Sequence, residues 1–179
     1  MSSSSCSNAL GKWLLWGLCA LPVPALASWQ SDLGTPQLIG QGEFSYLGFH
    51  IYNAALYSTE APFVRPHPFA LQLTYFKHIS RERITESSLD ELRRIYGPSL
   101  SAATLGSWRQ YMLSAFVDVD KGDQLTGVYL PGQGVRFYHG ETETAHIDDA
   151  SFATAFFSIW LDPATRDPAL RARLLGLAP

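Results

Sequence analysis

Ala70-Leu71-Gln72-Leu73-Thr74-Tyr75-Phe76-Lys77-His78-Ile79-Ser80-Arg81-Glu82-Arg83-Ile84-Thr85-Glu86-Ser87-Ser88-Leu89-Asp90-Glu91-Leu92-Arg93-Arg94-Ile95-Tyr96-Gly97-Pro98 is the stretch in which the chain changes rhythm. Up to Ile79, Leu71, Leu73 and Tyr75 alternate with Gln72, Thr74 and Phe76, the two-residue period of a strand. From Ser80 the period lengthens. Ile84, Ser88, Leu92 and Ile95 recur at helical spacing, while Glu82, Arg83, Glu86, Asp90, Glu91 and Arg94 take the wet side. Ser80 supplies an N-cap, and Gly97 followed by Pro98 stops the helix. A strand therefore feeds directly into a helix that must cover it or a neighbouring strand.

Toward the N-terminus, Gln37 to Ser58 reads as two strands joined near Gly48, with Phe44, Tyr46, Tyr52, Ala54 and Leu56 on alternate positions. Ala61 to Pro68 carries Pro62, Pro66 and Pro68, so it is a connection and not a ladder strand. Toward the C-terminus a second helix runs from about Ser101 to Phe116, with Leu105, Trp108, Met112 and Phe116 on one face. Leu125–Leu130 and Val135–His139 flank Pro131-Gly132-Gln133-Gly134 as a hairpin, and a brief strand ends at Ile147. Asp148 or Asp149 caps a helix carrying Phe152, Phe156, Ile159 and Trp160, stopped by Asp162-Pro163. A last helix starts with Asp167 and Pro168 and ends by Gly176. Strands come in groups and so do helices, which points to an α+β domain: an antiparallel sheet with helices on one face. A doubly wound α/β fold would alternate them singly.

The first 27 residues are read separately. Lys12 precedes the apolar run Trp13–Leu21, then come Pro22, Pro24 and Ala25-Leu26-Ala27, the pattern of a secretory signal peptide. The run is shorter than the ~20 residues needed to span a bilayer, and Leu18 stands where a lipid-attachment signal at Cys19 needs a small residue. Cleavage after Ala27 leaves residues 28–179 as one domain, exported to the periplasm or secreted, with no transmembrane segment. Cys6 and Cys19 are the two cysteines of the chain and leave with the signal. The exported part then has no cysteine nucleophile, no thiolate metal site and no disulfide. The 179-residue chain carries a net charge of −3, with 46% apolar residues. That composition supports a core, and without a Lys/Arg run it excludes a nucleic-acid surface.

Several motifs fall short of a site. Gly40-Gln41-Gly42 lacks the third glycine and following helix of a dinucleotide fingerprint. The histidines have no familiar metal spacing, Asp118, Asp120 and Asp123 lack the bidentate Glu of a calcium loop, and no Gly-x-Ser-x-Gly elbow is present. No metal and no cofactor is expected. Tyr46, Tyr52, Tyr75, Trp108 and Tyr111 come from segments that face each other across a sheet and its helical cover. Each pairs an apolar body with a polar tip. They either line a pocket for a mostly apolar ligand or fill the core. Lys77 beside them either meets an anion or faces solvent.

Gly40-Gln41-Gly42, Tyr52-Asn53-Ala54-Ala55-Leu56-Tyr57, Lys121-Gly122-Asp123, Gly127 to Gly134, Phe152 to Pro163 and Leu174-Leu175-Gly176, in that order, resemble the bacterial chalcone isomerase-like family over about Gly40–Gly176. The resemblance implies an open-faced β-sandwich, a large antiparallel sheet with a layer of helices on one side and a ligand cleft between. Plant enzymes of this superfamily cyclise a chalcone, using an arginine just after a Gly-x-Gly-Glu stretch to hold the attacking phenolate. Here Phe44 follows Gly40-Gln41-Gly42-Glu43 in the arginine's place, and an apolar ring cannot supply that electrostatic stabilisation. The catalytic threonine of the next strand falls on Tyr52, and the tyrosine of the helical layer near Trp108 or Tyr111. Non-catalytic relatives bind fatty acids with an arginine and a tyrosine; Arg109 or Lys77 would have to replace that arginine.

The resulting expectation is an exported binding protein for a small fatty-acid-like or aromatic ligand, with Phe44, Tyr46, Tyr52, Tyr75, Trp108, Arg109 and Tyr111 around it. One alternative is an isomerase or intramolecular lyase with Tyr52 and Tyr111 as proton donors and Lys77 as anion holder. The other is a structural or interaction protein with a vestigial cleft.

Overall fold

The alternating segments form one antiparallel meander in a computed structural model that describes residues 28–178. The expected signal peptide, with Cys6, Cys19 and the expected cleavage point after Ala27, lies outside the described residues. Strands β1 (Gln37–Tyr46), β2 (Phe49–Ser58), β3 (Phe69–Tyr75), β4 (Gln124–Leu130), β5 (Gly134–His139) and β6 (Thr142–Ile147) make a six-stranded sheet in sequence order. Across it, Tyr52 lies opposite Tyr75, Leu73 opposite Leu125, and Leu71 opposite Gly127, itself opposite Phe137. Leu47 (φ 50°) and Gly48 (φ 81°) turn β1 into β2, the paired positive φ that suits a two-residue hairpin. The Pro-rich Ala61–Pro68 stretch stays outside the sheet.

Helices begin where a side chain can satisfy the free N–H groups of the first turn. For α2 (Arg81–Tyr96) Ser80 Oγ accepts from the Arg83 N–H at 3.3 Å, and for α3 (Ala102–Ala115) Ser101 Oγ accepts from Thr104 at 3.0 Å. Asp149 caps α4 (Ala150–Leu161), accepting from Phe152. Asp167 caps α5 (Pro168–Leu174), accepting from Leu170, each at 2.8 Å. These four helices cover one face: α3 packs on β6, α4 on β5, α5 on β1 and β2, and α2 on α3 and α4. The architecture is the expected α+β one, an antiparallel sheet carrying a helical layer. Among the described residues no helix is long and apolar enough to cross a membrane.

Two departures matter. A short helix, α1 (Trp29–Leu33), sits on the opposite face, where Trp29 and Leu33 join Ala70, Val128 and Tyr138 in a small second core. It is pinned through Asp32, which accepts from Arg136 Nη1 at 2.8 Å and from the Tyr138 hydroxyl at 2.7 Å. The wet side of α2 also differs from its reading: Glu91 is turned inward, its side chain 17% exposed, because Arg94 and Arg166 hold its carboxylate at 2.8 and 2.5 Å.

The glycines of β1 have a packing role. Gly40 and Gly42 share a face, and a Cβ at Gly40 would overlap the carbonyl oxygen of Arg173 and lie 2.8 Å from that of Leu174. At Gly42 it would lie 3.0 Å from a Leu170 methyl. The Gly-x-Gly spacing lets the backbone of α5 rest directly on the strand.

Candidate functional site

The helical layer meets the sheet in two different ways. Under α3 and α4 the contact is solid: Trp108 and Tyr111 pack on Phe152 with ring centroids 5.7 and 5.5 Å apart, and Phe137 packs on Phe116 and Phe156 at 5.3 and 5.2 Å. Toward β1–β3 a cavity of about 690 Å³ remains, well inside the roughly 300–1,000 Å³ of small-molecule sites. Its sheet side is Phe44, Tyr46, Ile51, Tyr52, Leu71, Leu73 and Tyr75, continued by Leu125, Gly127 and Phe137. Its helical side is Ile84 and Ser88 of α2, Phe156, Ile159 and Trp160 of α4, and Leu170 of α5.

The phenols Tyr52 and Tyr75 form one aromatic cluster with Phe44 and Trp160. Phe44 stacks on Tyr52 at 5.1 Å and Tyr75 meets Tyr52 edge-on at 5.9 Å. Trp160 Nε1–H donates to the Tyr52 hydroxyl at 3.0 Å, which leaves the Tyr52 proton free to point into the cavity. Burial pushes the Tyr52 phenol far above its ordinary value, with the Trp160 hydrogen bond acting against the shift. Burial also raises Tyr75, reinforced by the neighbouring Tyr52. Both stay neutral at physiological pH, so they can donate a hydrogen bond but cannot hold a phenolate there.

Charged groups stand at the rim, and most are already engaged. Glu91 is held by Arg94 and Arg166, Asp90 by Arg93 at 2.9 Å, and His78 by Asp120 at 2.9 Å. Asp167 is occupied as the cap of α5. Lys77 and Arg83 differ: both line the cavity and are exposed, and neither has a carboxylate within 4.0 Å among the described residues. The Lys77 ammonium lies 5.5 Å above the ring of Phe49.

Of the residues singled out from sequence, Phe44, Tyr46, Tyr52, Tyr75 and Lys77 meet at this cavity. Trp108, Tyr111 and Arg109 do not line it. Trp108 and Tyr111 belong to the packed half, and Arg109 pairs with Glu86 on the helical layer at 2.7 Å. Tyr52 and Tyr111 are therefore not brought together as a proton-donor pair, and Arg109 is not placed as an anion holder inside. Arg83, which helical spacing puts on the wet side of α2, is exposed and also lines the cavity mouth. Trp160 had been placed on the dry face of its helix, but nothing local signals that it would meet a tyrosine 108 residues away.

An antiparallel sheet carrying a helical layer of α2–α5, with a largely apolar cavity between them, defines an α+β protein with an internal cavity. The chalcone isomerase-like family model matches residues 29–176, and the chain belongs to that family. A relative of Haemophilus influenzae (strain ATCC 51907 / DSM 11121 / KW20 / Rd), an uncharacterized protein, is 30% identical over 141 residues, 78% of this chain and 68% of the relative. Among solved structures, a fatty-acid binding protein of Arabidopsis thaliana superposes with a TM-score of 0.58 at 13% identity, covering 79% of this chain and 87% of that one. That likeness is one of fold.

Proposed function

We propose that this protein binds a small apolar ligand, fatty-acid-like or aromatic, in the cavity between sheet and helices, without transforming it, and does so after export. The cavity carries the reading: its wall is mostly aliphatic and aromatic, and the buried or half-buried polar groups Tyr52, Tyr75, Ser88, Thr126 and Thr165 that line it are uncharged. Such a lining rewards burial of apolar surface at roughly 25 cal/mol per Å² and disfavours a buried unpaired charge. The fatty-acid binding of the Arabidopsis protein with the same fold supports it. Export rests on the signal-like residues 1–27. An isomerase reading built on Tyr52, Tyr111 and Lys77 lacks support from the geometry, because Tyr111 packs on Phe152 and does not line the cavity.

The test is native mass spectrometry of protein purified from the periplasm, beside a Leu73→Trp variant whose indole would occupy the cavity. Wild type should carry a stoichiometric, chemically unaltered small molecule that the variant lacks, and its N-terminus should be Ser28. No bound molecule in either protein would favour a vestigial cleft; recovery of the released molecule in an isomerised form after incubation with fresh wild-type protein would favour the isomerase.

A further inference from the structure

The cavity wall has a direction. On the face of β3 that looks into it, and on the residues continuing that strand, every second side chain runs Leu71, Leu73, Tyr75, Lys77, and all four line the cavity. At about 3.3 Å per residue this ladder spans roughly 20 Å, from aliphatic through neutral phenol to cation. The aliphatic end is closed by aromatic neighbours, since Leu71 lies opposite Gly127, which lies opposite Phe137, and Phe137 packs on Phe156. The other end holds Lys77 and, six residues on in the first turn of α2, Arg83.

The charges around that end leave these two cations over. His78 is matched by Asp120 and Arg81 by Glu82, while Asp118 accepts from the Arg81 backbone N–H. Resting on the ligand-binding reading above, we infer that the ligand is a single-chain anionic amphiphile that enters tail-first. Its chain lies along Tyr75, Leu73 and Leu71, and its carboxylate or phosphate head is held at the mouth by Lys77 and Arg83. A head-inward orientation would bury the anion at the closed end against Leu71, Phe137 and Phe156, where these side chains offer neither a hydrogen bond nor a positive charge, which low-dielectric surroundings penalise.

The experiment titrates full-length mature protein with hexadecanoate, its methyl ester and a lysophosphatidate, using wild type, the Lys77→Gln/Arg83→Gln double variant and Tyr75→Phe. Circular dichroism checks that each variant folds. Wild type should bind hexadecanoate, lysophosphatidate or both, and the double variant should weaken that binding by about tenfold, the scale of a lost charge-assisted contact. Affinity for the ester should stay the same. Preference for one acid identifies the head group as carboxylate or phosphate. Nitroxide probes on the fatty chain add position: a label near the terminal methyl should protect or broaden resonances of Leu71 and Phe137, one near the carboxylate those of Lys77.

Equal affinity for acid and ester in wild type, or no change in the double variant, overturns the head-out arrangement while leaving apolar binding intact. Selective loss of acid binding in Tyr75→Phe overturns it in favour of a head-in ligand. Failure of all three ligands to bind wild type overturns the binding reading itself, and the orientation with it.

Discussion

The same helical layer covers the sheet in two regions, one packed solid and one hollow, and both are rich in aromatic side chains. Trp108, Tyr111 and Phe152 fill space against each other in the first, and Phe116 and Phe137 stand at its border with the cavity. Phe44, Tyr52, Tyr75 and Trp160 line a void in the second. The chemistry of the side chains is nearly identical in the two regions; what separates them is the cover, since α3 and α4 pack on β6 and β5 whereas α2 packs on α3 and α4. Burial alone is therefore a poor guide to function here, because Trp108 and Trp160 are almost equally inaccessible, at 4% and 7% exposed.

Substitution should pull the two regions apart. Trp108→Ala removes a ring with neighbours on every side and should cost about 3–5 kcal/mol in chemical denaturation. Ligand affinity of the molecules that remain folded should be unchanged; a large affinity loss there would erase the distinction between the regions. Gly40→Ala drives a methyl into the backbone of α5, which bounds the hollow region. Overpacking of this kind should cost about 1–3 kcal/mol and, unlike Trp108→Ala, should change the affinity of the folded protein as well.

Alkaline titration sharpens the comparison from the hollow side. An unfolded tyrosine ionises near 10, whereas burial holds Tyr52 and Tyr75 well above that. The folded state thus keeps protons that the unfolded chain gives up. Stabilisation from these neutral phenols is complete below about pH 10 and is lost as the pH rises toward their folded values, by up to about 1.4 kcal/mol per pH unit for each. Tyrosinate absorbance followed alongside unfolding checks this, and Tyr52→Phe/Tyr75→Phe should flatten the decline. The smallest effects belong to single hydroxyls. Tyr52→Phe strands the Trp160 N–H and should cost about 1 kcal/mol in thermal unfolding, while Tyr75→Phe should stay within about 0.5 kcal/mol.

Local chemistry in the sequence carried most of the fold. The alternation through Leu71, Leu73 and Tyr75 and the caps Ser80, Asp149 and Asp167 each act within a few residues, so they can be read without knowing the rest of the chain. Helix α1 was not read because its hold on the sheet is tertiary, through Asp32 to Arg136 and Tyr138, although Ser28 and Gly34 bracket it and Trp29 and Leu33 share a face. Glu91 looked solvated for the same reason, since Arg166, which turns it inward, lies on a different part of the chain. At the site, the strand period put Phe44 with Tyr46, Tyr52 with Ala54 and Leu56, and Tyr75 with Leu71 and Leu73, each set within its own strand; the register between the strands brings them to one face. Helical spacing could not say that Trp108 and Tyr111 would meet Phe152 and not the ligand space. That choice depends on where α2 and α5 stand relative to the sheet, a property of the assembled layers.

The sequence-ordered meander also has a consequence for the route by which the molecule forms. β1 with β2, β4 with β5 and β5 with β6 are hairpins that can zip from their own turns, and β2 reaches β3 across the short Pro-rich link. Only the seam between β3 and β4 joins strands separated by the whole of α2 and α3, so closing it carries the largest loop-entropy cost. Leu71 and Leu73 face Gly127 and Leu125 across that seam. The cavity thus straddles the most sequence-distant pairing in the sheet, and its wall is completed only when the two halves of the chain have found each other.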